Sequence, residues 1–210
     1  MSNAESQATA AESLEEQRLD LSDARRTPVS KMGFWIFIAS ESTFFASLIG
    51  TYLALHGSAV SGPKPMDVFN IPLTTISTFD LLMSSLMMVL AVAASREGRM
   101  RQTRLWLGMT ALLGAIFLGF QAYEFTTFVG EGLSYTTNIF ASSFYTLTGF
   151  HGAHVAFGVA WLLMLLVQSF RHGLSAANAV KVEVAGLYWH FVDVVWIVIF
   201  TVVYLFAFVG

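Results

Sequence analysis

Seven ionisable side chains interrupt stretches that are otherwise apolar: Glu41, Asp80, Glu124, His151, His154, His190 and Asp193. His151 and His154 are three residues apart, as are His190 and Asp193, so on a helix each pair shares one face. Such residues can ligate a metal, hold a haem axially, carry a proton, or hydrogen-bond a neighbouring helix. A metal site lacks a third fixed ligand in the sequence. Haem needs room for a macrocycle, and Phe150, Phe157, Tyr188 and Phe191 crowd the histidines. Glu41 sits among Ser40, Ser42 and Thr43, whose hydroxyls suit either protonation state of a proton-carrying carboxyl. The interhelical hydrogen bond remains the plainest reading of each residue.

The choice depends on the surrounding solvent, which composition identifies. The 210 residues are 55% hydrophobic and 12% charged, against roughly 25% charged in soluble domains. With a mean hydropathy of +0.63, this is the composition of a membrane protein. The chain has no cysteine, which removes disulfides, thiolate metal sites and a cysteine nucleophile. No phosphate-binding or dinucleotide glycine pattern is present, and no basic patch suited to nucleic acid. Residues 1–31 are polar and rich in Glu, Ser and Ala, without the apolar core of a signal peptide. They are expected to form a mostly disordered cytoplasmic tail.

Five apolar stretches follow, at about 33–55, 72–95, 104–129, 139–169 and 185–208, each near the ~20 residues that cross a bilayer. The expected fold is therefore all-α, an integral membrane bundle of five transmembrane helices over residues 32–210. Arg25, Arg26, Lys31, Arg96, Arg99, Arg101, Arg104, Arg171 and Lys181 fall on one side of it, and Lys64 on the other. The positive-inside rule then places the N-terminus in the cytoplasm and the C-terminus outside. Trp35, Trp106 and Tyr204 are expected as interfacial anchors, and the methionines of "LLMSSLMMVL" as lipid- or partner-facing packing.

In hydrocarbon a charged side chain costs at least ~2.5–3.5 kcal/mol, so buried ionisable groups need partners. At 1.5 Å per residue, Glu41 lies ~15 Å beyond Lys31, and Asp193 ~15–18 Å beyond the Lys181–Glu183 end of its span. His154 falls near the middle of the fourth span, at comparable depth. Asp80 lies nearer the outer half and Glu124 close to the outer surface. Gly152, Ala156 and Ala160 form a small-xxx-small ridge that predicts a close helix contact. The expectation is an interhelical network in which imidazoles bridge to Asp193 or Glu41.

The wording of the motifs goes further. "GFWIFIASESTFF" (33–45), "GFQAYEF" (119–125), "SSFYTLTGFHGAHVAFG" (142–158) and "YWHFVDVVWIVIFTVVYLF" (188–206) resemble subunit III of the haem–copper terminal oxidases. The resemblance covers residues 32–208 in the family's order and is nearest to the short, five-helix bacterial form of cytochrome c oxidase. It implies no catalytic, cofactor-binding or metal-ligating residue on this chain, with haem and copper in partner subunits I and II. It implies structural phospholipids, packing against subunit I in the bacterial cytoplasmic membrane, and support of its partner's proton uptake. A small subunit IV is a further candidate partner, and cytochrome c the donor to a proton-pumping complex of aerobic electron transport.

Glu41, Glu124, His151, His154, His190 and Asp193 match the family's buried polar positions. The chain lacks the first two helices of the seven-helix form, so an enclosed lipid cleft does not follow. Quinol oxidases have a similar subunit III, and some carry aspartate in place of Glu41, which favours cytochrome c here. A stand-alone transporter or metalloprotein using Glu41, His154 and Asp193 is the alternative of another class. Against a transporter stand the missing inverted repeats and glycine- or proline-broken helices. An assembly factor, absent from the mature complex, is a third.

Overall fold

The computed structural model describes residues 32–55, 71–172 and 176–205, and the expected tail 1–31 lies outside them. Five helices follow one another: α1 Met32–Leu55, α2 Ile71–Arg96, α3 Met100–Gly130, α4 Ile139–His172 and α5 Ala176–Ile199, the last continued by a π-helical turn, Phe200–Leu205. There is no strand among the described residues. All five are long and apolar enough to cross a membrane, so the expected all-α transmembrane fold is the observed one. The chain divides into two compact units, Met1–Ser40 and Glu41–Gly210. The helix packing from Glu41 onward lies within the second.

Helix ends differ from the apolar stretches because hydropathy marks depth in lipid, whereas helices stop where the backbone is capped. α3 begins at Met100 and α5 at Ala176, each ahead of its apolar stretch, through Arg, Gln, Ala, Lys and Glu, which favour helix. At 31 residues, α3 is about 46 Å long and exceeds a ~30 Å hydrocarbon core. The turn after α2 is closed by Gly98, at φ 70°, with Arg99 N–H donating to Ala94 O at 2.9 Å and Gly98 N–H to Ser95 O at 3.2 Å. α3 ends the same way at Gly132, φ 89°, with Leu133 bonding Phe128 O and Gly132 bonding Val129 O. Both are left-handed glycine caps that satisfy the last carbonyls. Asn138 starts α4 by accepting the Ala141 N–H at 2.7 Å.

The core forms where small residues let aromatic rings into the bundle. Trp189 lies against Gly114 of α3 and Gly158 of α4, so close that a Cβ on Gly114 would stand 2.5 Å from its ring. Gly186 admits Met88 and Val92 of α2 in the same way. The expected ridge of Gly152, Ala156 and Ala160 is made only at Gly152, since Ala156 and Ala160 are exposed. The buried stripe of α4 runs through Gly152, Val155, Val159 and Leu162, and residues one step further on are turned ~100° away. Met88, expected at a lipid or partner face, is fully buried, while Met83 and Met87 are half-buried. From Glu41 on, α1 buries only Phe45 and Tyr52 completely, seven residues apart and hence on one narrow line.

Candidate functional site

The six candidate polar residues fall into three places. In the first, His154 Nε2 meets Glu41 Oε2 at 3.2 Å, joining α4 to α1. The other ring nitrogen, Nδ1, lies 2.7 Å from Phe150 O. A carbonyl only accepts, so Nδ1 carries a hydrogen. The contact with Glu41 then requires a second proton, either on Nε2 as an ion pair or on the carboxyl as a neutral pair. Phe45 packs edge-on to the His154 ring at 5.0 Å, and the Tyr188 hydroxyl donates to His154 O at 3.0 Å. Both side chains keep about a fifth of their surface exposed, 18% for His154 and 22% for Glu41, so the pair borders the bundle surface.

The second place closes around Glu124 of α3, only 4% exposed. Thr74 of α2 donates its hydroxyl to Oε1, and Tyr204 donates to Oε2 at 3.4 Å. Tyr204 belongs to the π-helical turn, whose wider winding re-aims side chains relative to an α-helix. The sequence suggested an interfacial anchor there. Instead Tyr204 is fully buried, because its hydroxyl serves Glu124.

The third place holds His151, His190 and Asp193. His190 Nδ1 lies 2.7 Å from the Ser85 hydroxyl of α2. Asp193 is 4% exposed. Ser85 approaches it without reaching hydrogen-bond geometry, and both carboxylate oxygens are unpartnered among the described residues. No imidazole hydrogen-bonds Asp193 among the described residues: His154 turns to Glu41, and His151 stacks on Trp196 without bonding the carboxylate. His151 is completely buried and stacks on Trp196 at 4.8 Å, with Phe117 edge-on at 5.9 Å. Both its ring nitrogens lack a partner among the described residues. Asp80, half-buried on α2, also has one unpartnered buried oxygen, Oδ2.

Several polar partners were not singled out in the sequence. Ser84 accepts from Trp189 Nε1 at 2.9 Å, Thr78 from Trp196 Nε1 at 3.0 Å, and Gln121 Nε2 donates to Thr148 O at 2.7 Å. Ser and Thr are common in membrane helices, so only their recurrence on one face of α2 (Thr74, Thr78, Ser84, Ser85) could have marked them. At the end of the bundle where α2 ends, Arg96 pairs with Glu183 of α5, and Arg104 donates to Ser169 O across to α4. Among the described residues, no three His, Asp or Glu side chains come together in a metal-holding group.

Residues 26–208 match the family model described as cytochrome c oxidase subunit III. The chain is 49% identical over 179 residues to cytochrome c oxidase subunit 3 of Bacillus sp. (strain PS3), covering 85% of this chain and 86% of that one. Cytochrome c oxidase subunit 3 of Bacillus subtilis (strain 168) is 47% identical over 180 residues, with 85% and 87% covered. The probable quinol oxidase subunit 3 of Staphylococcus aureus (strain USA300) is 43% identical over 178 residues, with 84% and 89% covered. Together with the five spanning-type helices, these relatives make the chain a multi-pass bacterial membrane protein.

Proposed function

The chain belongs to the cytochrome c oxidase subunit III family, and on that premise we propose that it is the non-catalytic subunit III of a proton-pumping cytochrome c oxidase. Membership makes it subunit III of a haem–copper oxidase. The observation that carries the finer reading is the fate of its buried polar groups. Each of the three places joins helices or lies between them, and among the described residues none gathers three His, Asp or Glu side chains around a metal site. The chain's work is then structural and serves its neighbours. It packs against subunit I, supports that subunit's proton uptake, and holds phospholipid along its open apolar faces. Haem and copper belong to subunits I and II, and the N-terminus lies in the cytoplasm.

In this reading Glu41, Glu124, His151, His154, His190 and Asp193 hold the bundle in the shape that its partners recognise. The Glu41–His154 pair fixes α1, which has little other buried surface from Glu41 on. A polar pair at the bundle surface is costly to leave facing hydrocarbon, which suits a site covered by a partner subunit.

The donor is cytochrome c in the first reading. Quinol is the second, favoured by the relative named as a probable quinol oxidase subunit. Purifying the complex from membranes through a tag on this chain, then measuring oxygen uptake with reduced cytochrome c and with a quinol, separates them. Uptake with cytochrome c is expected. Uptake with quinol alone overturns the donor assignment, and a purified chain without haem-bearing partners overturns the subunit reading.

A further inference from the structure

Trp189, Asp193 and Trp196 lie four and three residues apart, on one stripe of α5. The outer two show where that stripe points. Trp189 reaches Ser84 of α2, Gly114 of α3 and Gly158 of α4. Trp196 reaches Thr78 of α2, Phe117 of α3 and His151 of α4. Asp193 therefore projects into the centre of the four helices, at a level between the two indoles. His151 meets the same stripe of α5 from α4, stacked on Trp196. Beside it, Gln121 Oε1 lies so close to Gly152 that a Cβ there would stand 2.5 Å away.

These three side chains are all at least nine-tenths buried, with exposures of 4% for Asp193, 0% for His151 and 7% for Gln121. Five of their polar atoms have no protein partner among the described residues: both Asp193 oxygens, both His151 nitrogens and Gln121 Oε1. Buried polar atoms in native proteins are paired with protein or with ordered water. The hydroxyl beside Asp193, that of Ser85, already meets His190 Nδ1, and Trp189, Trp196 and Phe117 bring aromatic rings to the other sides. The set also has the right chemistry for a small ligand that both donates and accepts. A carboxyl and an amide oxygen ask for donors, and a neutral imidazole offers one donor and one acceptor. A metal ion fits less well, since the place has one carboxylate and one imidazole.

We propose that the centre of the α2–α5 bundle holds internal water, bound by His151 and Asp193 with Gln121 Oε1 beside them. Such water makes about three hydrogen bonds to otherwise unpaired groups and is costly to remove. The inference goes beyond the subunit assignment and is independent of the electron donor. The core is then wet where the family motifs are most polar, and the two indoles close that place along the helix axis.

Electron cryomicroscopy of the purified complex, at a resolution that shows ordered water, tests this directly. Density peaks within 2.6–3.2 Å, the ordinary hydrogen-bond range, of a His151 nitrogen and of an Asp193 oxygen are expected. A peak at only one of the two, or at neither, overturns the proposal. Direct protein partners for both groups overturn it too. The His151→Phe variant supplies a second readout. Phenylalanine keeps the stacking on Trp196 but removes both nitrogens. In a dry core this deletes an uncompensated polar ring and raises the midpoint temperature at which the chain leaves the complex. In a wet core it strands the water and Asp193, so the midpoint falls. A lowered midpoint is expected, and an unchanged or raised one contradicts the proposal. Should the variant fail to assemble, the wild-type density decides alone.

Discussion

Glu124 and Asp193 are equally buried carboxyl groups in one bundle, each 4% exposed, yet they are held in opposite ways. Glu124 is closed off by protein, with a hydroxyl from α2 on one oxygen and one from the π-helical turn on the other. Asp193 has no protein hydrogen bond among the described residues and is bounded along its own helix face by two indoles. Burial alone therefore does not say what a membrane carboxyl is for. Its partners do. Glu124 behaves as a rivet between three segments, whereas Asp193 behaves as a lining group of an internal polar space.

Trp196 is the partition between the two places. Its indole donates to Thr78, stacks on His151 and lies 6.4 Å from the Tyr204 ring. Trp196→Ala is expected to have the largest effect, a loss on the order of 3–5 kcal/mol as for other buried aromatics. Thermal release of this chain from the purified complex, read by gel electrophoresis, checks it. Wild-type retention after that change would mean that the two carboxyl sites do not share a wall.

Glu124→Leu comes next, at about 1–3 kcal/mol, because it removes the buried acceptor to which the Thr74 and Tyr204 hydroxyls donate. Glu124→Gln keeps an acceptor for Thr74 and is expected to recover most of the loss in the same assay. If glutamine were no better than leucine, the charge and not the hydrogen bonds would matter. Asp193→Leu sharpens the contrast from the other side. It removes the main acceptor of the central space, and subunit retention after detergent washing is expected to fall. Full retention would make Asp193 dispensable to packing.

Tyr204→Phe deletes one bond to Glu124 and is expected to cost only about 0.6 kcal/mol, typical of a hydrogen bond between membrane helices. Smallest of all is Glu41→Gln. The amide N–H can donate to a neutral His154 Nε2, so assembly is expected to stay intact, as measured by subunit content of the purified complex. Loss of the chain on that change would show that the pair works as ions.

The sequence made much of this legible, for physical reasons. Apolar runs of ~20 residues can only be spans in a chain so poor in charge, and i,i+3 spacing puts residues on one face wherever the helix lies. The comparison with relatives agrees with the motif resemblance over nearly the whole chain. Side-chain partners were less legible. Spacing placed Asp193 and His151 on inward faces but could not tell which neighbour each would meet. That depends on helix rotation, which Gly114, Gly158 and Gly186 set by admitting Trp189, Tyr188 and Met88. Tyr204 looked like an anchor because it lies near the end of its apolar span. It lies in the π-helical turn at Phe200–Leu205, where the phenol is buried.

In the proposed role this chain supports an oxidase without carrying its redox chemistry. The most direct measurement strips it from the purified complex with detergent, then records absorption spectra and metal content of both fractions. All haem and copper are expected to remain with the larger subunits, and the released chain to have no redox spectrum. Haem or copper leaving in stoichiometric amount with this chain would contradict it.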